Sequence, residues 1–396
     1  MRRSPMMTIF LIAFVGMMGY GIILPITPFY AQAFGASDFQ IGLIIASYAL
    51  MQFIFAPILG SMSDRYGRKL LLITSLIGTV VSLILFGMAT SLAWLFIGRM
   101  IDGATGGNIA IAQAYVSDIT TEENRARGMG MIGAALGLGF IAGPALGAIL
   151  SSGGNYRLPI FVAAGIAAVS VLMTIFLLPE PEQHKMTQFR TFNLGRILGA
   201  LGDQRIGQPL LIALLVALAF TAFETTFALF AKNRLSYGSV QTGYALAYIG
   251  IVVALIQGGL IRRLAKRYGE VVLIAAGTLL LGGGLLVLGF INNTWQFIAI
   301  GMVIAAGEGI YSPSMSALIS RRSPDQQRGE YLGLYQSMGS LARIIAPLTA
   351  AWLLDHVSDA TPYLIGGGLT LLACLFASRM IRREPTSEPV GAKSSA

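Results

Sequence analysis

The chain is poor in histidine, cysteine and charge. Two histidines and one cysteine are spread over 396 residues. With Cys374 alone, neither an intramolecular disulfide nor a cysteine-based metal cluster can form. His184 and His356 both fall outside the long apolar runs, and no HExxH or GxSxG pattern occurs. An intramembrane enzyme, which needs a nucleophile with its base or a bound metal, therefore lacks its parts. No catalytic residue, metal or cofactor is expected. Charged residues make up only 11% of the chain, against roughly 25% in a soluble domain.

Apolar residues fill the space, at 55% with a mean hydropathy of +0.72. Runs of about 20 apolar residues can cross a bilayer as helices. Six lie at 8–30, 41–61, 70–90, 92–116, 129–151 and 158–178, and six more at 209–231, 241–261, 271–291, 295–318, 331–354 and 362–380. The expectation is an all-α membrane protein of twelve transmembrane helices. Its parts would be a bundle over 1–178, a cytoplasmic linker over 179–208, a second bundle over 209–383 and a disordered cytoplasmic tail over 384–396. Sorting Lys and Arg by this map puts 22 of 27 on one side, from Arg2 and Arg3 to Lys393, and only Arg157, Lys232 and Arg234 on the other. Arg99 and Arg343 fall inside spans. That asymmetry places both termini in the cytoplasm, and it explains the net charge of +9 as topology rather than as a nucleic-acid surface. Arg2-Arg3, an apolar run and Ala31-Gln32-Ala33 imitate a secretion signal, but the run is longer than such signals use. It is expected to stay as the first span.

The halves repeat. Gln40-Ile41-Gly42 matches Gln241-Thr242-Gly243, Arg65-Tyr66-Gly67 matches Arg267-Tyr268-Gly269, and Arg125, Gly130 and Pro144 match Arg328, Gly333 and Pro347, at offsets of 201, 202 and 203 residues. A duplicated six-helix unit leaves such a drift. Between the second and third spans, residues 60–69 read GSMSDRYGRK. A tight charged turn is expected there, with Gly60 and Gly67 permitting close approach and Asp64, Arg65, Arg68 and Lys69 at the cytoplasmic boundary. In the second copy Lys266 stands near the Asp64 position and Glu270 replaces the base after the glycine, so that copy reads as degraded. In the fifth span, GLGFIAGPALGA offers Gly137, Gly143, Pro144 and Gly147. Glycines four apart let helices approach closely, and the proline can bend the helix.

The pattern GxxxDRxGRK resembles the signature of the loop between helices 2 and 3 in the major facilitator superfamily. FIGRMIDGATGG, with Arg99 and Gly103, resembles that family's helix 4 motif, and GxxxxxGPxxG resembles the motif of its drug:proton antiporters. Together with GYGIILPITPFYAQAF, AQAYVSDIT and NRARG, these look like tetracycline-exporter-type members of the drug:proton antiporter-1 family. The resemblance implies two pseudo-symmetric six-helix bundles, with helices 1, 4, 7 and 10 lining a central cavity. It also implies a charge relay of Asp64, Arg68 and Asp118, which with Gly60, Arg65, Gly67, Gly143, Pro144 and Gly147 would gate the two orientations. An interfacial salt bridge without a gating role is the plainer reading.

Ions inside a membrane cost on the order of 2.5–3.5 kcal/mol each. Five fall within spans: Asp102, Glu224, Glu308, Arg99 and Arg343. Arg99 and Asp102, three apart, can pair on one helix face, with Gln113 close to the same face at 100° per residue. Glu308 and Arg343 are expected to meet at mid-membrane, and Gln336, Ser340 and Arg343 to form one stripe. Glu224 is then left over, either hydrogen-bonded to Thr221 or Thr225 or free to load and release a proton. Asp102 and Glu224 compete for the carrier role. Tyr48, Gln52, Asn108, Gln113, Gln257, Tyr311 and Gln336, among many Phe and Met, are the candidate substrate contacts. Such a wall suits amphipathic compounds, and the acids favour cationic or zwitterionic ones. Tetracycline exporters often carry an acid in helix 1, and this chain has none between Arg3 and Asp38. The expected function is proton-coupled export of small amphipathic compounds by a monomer in the plasma (inner) membrane. The alternative is a proton symporter or facilitator importing a small metabolite such as a sugar or organic acid.

Overall fold

The computed structural model describes residues 5–181, 199, 202–203, 206–323 and 328–381. Most of the expected linker and all of the expected tail lie outside them. So do Arg2, Arg3, His184, Lys185, Arg190, Arg196, Arg205, Arg382, Arg383, Lys393 and the side chains of Arg125 and Arg328. Among the described residues there is no strand. The first half runs α1 (Pro5–Ile23), α2 (Thr27–Gln32), α3 (Asp38–Tyr66), α4 (Arg68–Gly87), α5 (Leu92–Thr105), α6 (Asn108–Ile119), α7 (Glu122–Leu150) and α8 (Arg157–Leu177). The second runs α9 (Gly207–Leu235), α10 (Ser239–Leu255), α11 (Ile261–Tyr268), α12 (Glu270–Leu288), α13 (Thr294–Arg322), α14 (Arg328–His356) and α15 (Thr361–Ile381). Large apolar side chains such as Phe176, Leu255 and Leu375 stand on the outer surface, where lipid rather than water would meet them.

Eleven of these segments are long and apolar enough to cross a membrane. The twelfth crossing differs from expectation, because the run over 92–116 is two helices, α5 and α6, broken at Gly106-Gly107. Two adjacent glycines carry the largest backbone entropy cost a helix can meet. The Asn108 side chain also accepts from Ile109 N at 2.8 Å, which favours a fresh start there. Gln52 of α3 donates to the freed Gly106 carbonyl at 3.1 Å, so the break is satisfied inside the protein, as a membrane interior demands. The break is also pressed on α3: a Cβ on Gly107 would stand 2.9 Å from Leu59, and one on Gly103 would strike the Tyr48 carbonyl. In the second half, α10 passes through a π-helical turn, Ile256–Leu260, into α11.

Glycine also sets how the helices of the first half meet. Cβ atoms on Gly139, Gly143 and Gly147 of α7 would fall 2.6, 2.6 and 2.7 Å from the carbonyls of Phe14, Met18 and Ile22 on α1. The ridge spaced at four residues is therefore Gly139–Gly143–Gly147. Gly137, taken from the sequence motif, faces open space.

The halves meet reciprocally. A Cβ on Gly42 of α3 would lie 2.5 Å from the Pro347 carbonyl of α14, and one on Gly243 of α10 would lie 2.6 Å from the Pro144 carbonyl of α7. These are the same glycine and proline that the internal repeat pairs. Polar contacts reinforce the same end. Asp355 accepts from the backbone N–H of Asp38 and Phe39 at 3.1 and 2.7 Å, so a carboxylate from one half caps a helix of the other. Lys232 donates to Gln32 at 2.6 Å and Ser239 to Ser151 at 2.9 Å. Because α3 and α10 both start at this joined end, the charged ends of α3 and of α11, which continues α10, lie at the other.

Gly60 differs from expectation too. The helix α3 continues to Tyr66, a Cβ at Gly60 meets nothing within 4 Å, and the turn shrinks to Gly67 at φ +108°. Substituting Gly243→Leu is expected to overpack the joint and cost about 1–3 kcal/mol, read as a lower Tm of the detergent-purified protein. Gly60→Ala is expected to hold or raise Tm, since alanine gains up to about 1 kcal/mol over glycine in a helix.

Candidate functional site

A cavity of about 510 Å³ lies between the halves. Tyr20 comes from α1, Tyr48 and Gln52 from α3, Asp102 from α5, Asn108 and Gln113 from α6, Glu224 from α9, and Gln336, Ser340 and Arg343 from α14. Asp102 and Gln113 face one space, as expected of a continuous helix, although the fourth span is broken between them. Three candidates stand elsewhere. Gln257 is exposed on the π-helical turn, Tyr311 is buried within the second half with an unpartnered hydroxyl, and Glu308 is not on the lining. The tenth span, α13, contributes nothing to this cavity, contrary to expectation, and the eleventh, α14, contributes instead. The physical reason is that α13 nests on α12, where Gly277 and Gly307 let the backbones touch and Tyr311 closes over Gly277.

One of the two expected ion pairs forms. Arg99 Nη1 meets Asp102 Oδ2 at 3.0 Å, with side chains 7% and 13% exposed. The Arg99 guanidinium sits 4.2 Å from the centre of the Tyr48 ring, which answers its charge from the other side. The Glu308–Arg343 pair does not form. Arg343 Nη2 donates to Ser340 Oγ at 3.2 Å, and among the described residues no carboxylate lies within ion-pair distance of it. Glu308 sits on the helix that leaves the cavity, so depth alone did not bring the two together. Glu224 likewise has no ion-pair partner among the described residues. Thr225 gives its hydroxyl to the Thr221 and Ala222 carbonyls instead of to Glu224.

At the charged end, Arg68 Nη2 meets Asp64 at 2.5 Å, and its Nε meets Asp118 at 2.7 Å. Arg68 Nη1 also donates to Ser63 at 2.6 Å. Arg65 stands apart, exposed and over the ring of Tyr66 at 5.4 Å. Sequence reasoning missed Glu180. Its carboxylate accepts from Arg68 N at 2.6 Å and Lys69 N at 3.0 Å, capping the first turn of α4. Gly67 leaves room for it, since a Cβ there would stand 2.9 Å from its Oε1. Tyr115 holds the neighbouring Pro179 carbonyl at 2.7 Å. The flanking prolines, Pro179 and Pro181, were the available signal.

Residues 9–269 and 259–396 match the model of the Major Facilitator Superfamily. The chain belongs to the major facilitator superfamily. The tetracycline resistance protein, class E, of Escherichia coli is 32% identical, covering 95% of this chain and 94% of the relative. The class C protein of Escherichia coli is 31% identical over 91% and 93%. The quinolone resistance protein NorA of Staphylococcus aureus is 26% identical over 89% and 91%. Among solved structures, the human organic anion transporter MFSD10 (TETRAN) superposes with a TM-score of 0.73 at 25% identity, over 95% and 99% of the two chains. The peptide transporter POT reaches 0.81 at 13% identity, over 96% of each, and shares the fold. This major facilitator protein is thus a multi-pass membrane protein of a transporter superfamily.

Asp102→Asn leaves the Arg99 guanidinium buried without its counter-ion. A loss of roughly 3–5 kcal/mol is expected, measured by thermal denaturation in detergent. The double exchange Arg99→Met with Asp102→Leu removes both charges and is expected to recover most of it.

Proposed function

We propose that this transporter exports small amphipathic compounds in exchange for protons, by rocking of its two halves about the central cavity. Drug efflux rests on full-length similarity to tetracycline and quinolone resistance proteins. The observation that carries the mechanism is Glu224 lining that cavity without an ion-pair partner among the described residues. An acid so situated can trade a proton for the cationic part of a substrate. Asp102, held by Arg99, is the less suited of the two carriers the sequence left open. The cavity also presents Arg343, which has no carboxylate within ion-pair distance among the described residues, and this favours zwitterions over simple cations, with the acidic group at Arg343 and the basic group toward Glu224.

The protein acts as a monomer in the plasma (inner) membrane with both termini cytoplasmic. The charged turns then face the cytoplasm, and the glycine and proline joint closes the outer end, so the orientation is inward-facing. Nucleoside and peptide transporters share only the fold with this chain and lend no support to metabolite import.

Proteoliposomes given tetracycline, tetraphenylphosphonium or a neutral drug test this reading. Tetracycline is expected to release protons from the parent, and Glu224→Gln to abolish the release. Arg343→Gln is expected to weaken release by zwitterions about tenfold or more, in line with loss of a charged hydrogen bond worth about 1.5–3 kcal/mol, while sparing tetraphenylphosphonium. No proton release with any compound, alongside downhill uptake of a sugar, would overturn the proposal.

A further inference from the structure

The eight residues of α11 read IRRLAKRY, with four bases and no acid. At 100° per residue, Arg262, Lys266, Arg263 and Arg267 fall within about 140° of the helix circumference, and Ile261, Leu264, Ala265 and Tyr268 fill the opposite side. All four bases are exposed, whereas Ile261, Leu264 and Ala265 are partly covered. None of the four has a carboxylate within ion-pair distance among the described residues. The next acid along the chain, Glu270, is turned to Arg321 at 3.2 Å.

Topology does not ask for this arrangement. The repeat at 202 residues sets Arg262, Arg263, Lys266 and Arg267 against Gly60, Ser61, Asp64 and Arg65, so the first half has one base at these four positions. A bias of Lys and Arg toward one side needs no shared face. The depth of α11 supplies a reason. The crossing Ser239–Tyr268 has 30 residues. That is about 45 Å of helix, close to the roughly 40–45 Å of a bilayer with its headgroups and well beyond the ~30 Å of hydrocarbon. The last eight residues, about 12 Å, then lie among headgroups. Leu255 and Leu260, 69% and 43% exposed, come just before them at acyl-chain depth, and Tyr268, 47% exposed, ends the helix where interfacial aromatics collect. Gly258 and Gly259 lie between the two leucines, and a Cβ on either would meet nothing within 4 Å, so the surface above the basic arc is open.

We propose that Arg262, Arg263, Lys266 and Arg267 form a binding site for the phosphate headgroups of anionic phospholipids in the leaflet at the charged end, with the acyl chains lying along Leu255 and Leu260. Arg262 with Lys266, and Arg263 with Arg267, are i,i+4 neighbours about 5–6 Å apart, so each pair can hold one phosphodiester between two donors. Arg brings a planar fork of N–H groups and Lys a point charge. A zwitterionic headgroup carries its own cation to the same place and has no net charge to offer. The site therefore selects net-negative lipids such as phosphatidylglycerol, and less strongly at high ionic strength, where exposed charges are screened.

A single tryptophan beside the arc tests this in the full chain. Trp94→Phe, Trp295→Phe and Trp352→Phe remove the native tryptophans, and Leu260→Trp adds one at acyl-chain depth. The control keeps Trp295 alone, at the other end of α13 from Arg321. Both proteins go into nanodiscs of dioleoylphosphatidylcholine with one lipid in ten replaced by phosphatidylglycerol, the bromine quencher being carried first on one lipid and then on the other. At Leu260→Trp the binding constant for phosphatidylglycerol is expected to exceed that for phosphatidylcholine by roughly tenfold or more, and at Trp295 the two are expected to be about equal. Adding Arg262→Gln, Arg263→Gln, Lys266→Gln and Arg267→Gln is expected to remove the preference, while Arg262→Lys, Arg263→Lys and Arg267→Lys together keep most of it. Equal preference at the two tryptophans, or a preference that survives the four glutamines in a variant with the parent Tm, would overturn the proposal. So would its loss when inorganic phosphate replaces chloride at constant ionic strength, which would give the site to free phosphate. The two tryptophans are compared in a chain with all four bases in place, so that arm decides whether or not the glutamine variant folds.

Discussion

A charge inside a bilayer must find its counter-charge within the protein, and this molecule is organised around which charges do. Arg99 is answered twice, by the Asp102 carboxylate at 3.0 Å and by the face of Tyr48. That unit is closed, and stable for the same reason that it is chemically quiet. Glu224 and Arg343 are not answered in this way, and both are turned into the cavity. An unneutralised ion in such a place is costly, which is why the proposed exchange gives a proton or a transported species the part of completing it. The division between paired and open charges separates scaffold from working surface more sharply than polarity alone.

Close backbone approach is the second constraint. In lipid no hydrophobic force draws helices together, so they associate where small residues allow carbonyls and Cα atoms to touch. Within the first half this produces the Gly139–Gly143–Gly147 ridge on α1. Between the halves it produces two equivalent joints, Gly42 on Pro347 and Gly243 on Pro144. A joint built from contact of backbones is narrow and can act as a pivot. At the other end the charged turns carry ion pairs within each half.

The broken fourth span links these themes. Its glycines give up helical hydrogen bonds, Gln52 satisfies the carbonyl that is freed, and Asp102 and Gln113 on either side of the break line the same space. A residue that sequence reading took for a substrate contact is thereby also a structural support, and the two roles need not conflict.

Hydropathy, the asymmetry of Lys and Arg, and the repeat at about 202 residues were enough to determine an all-α membrane protein of two related halves, because burying a backbone in lipid permits few alternatives. The same local information gave the Arg99–Asp102 pair, three residues apart on one helix, and the Asp64, Arg68 and Asp118 cluster through its motif. Pairings across helices were beyond it. Glu308 and Arg343 were expected to meet, but they stand on helices whose packing is set by glycine contacts elsewhere, so Arg343 is on the cavity lining and Tyr311 and Glu308 are not. Glu180 reaches α4 across more than a hundred residues of chain, and only the folded arrangement brings it there. Spacing along the chain decides which residues share a helix; which face that helix presents is decided by the neighbours it packs against.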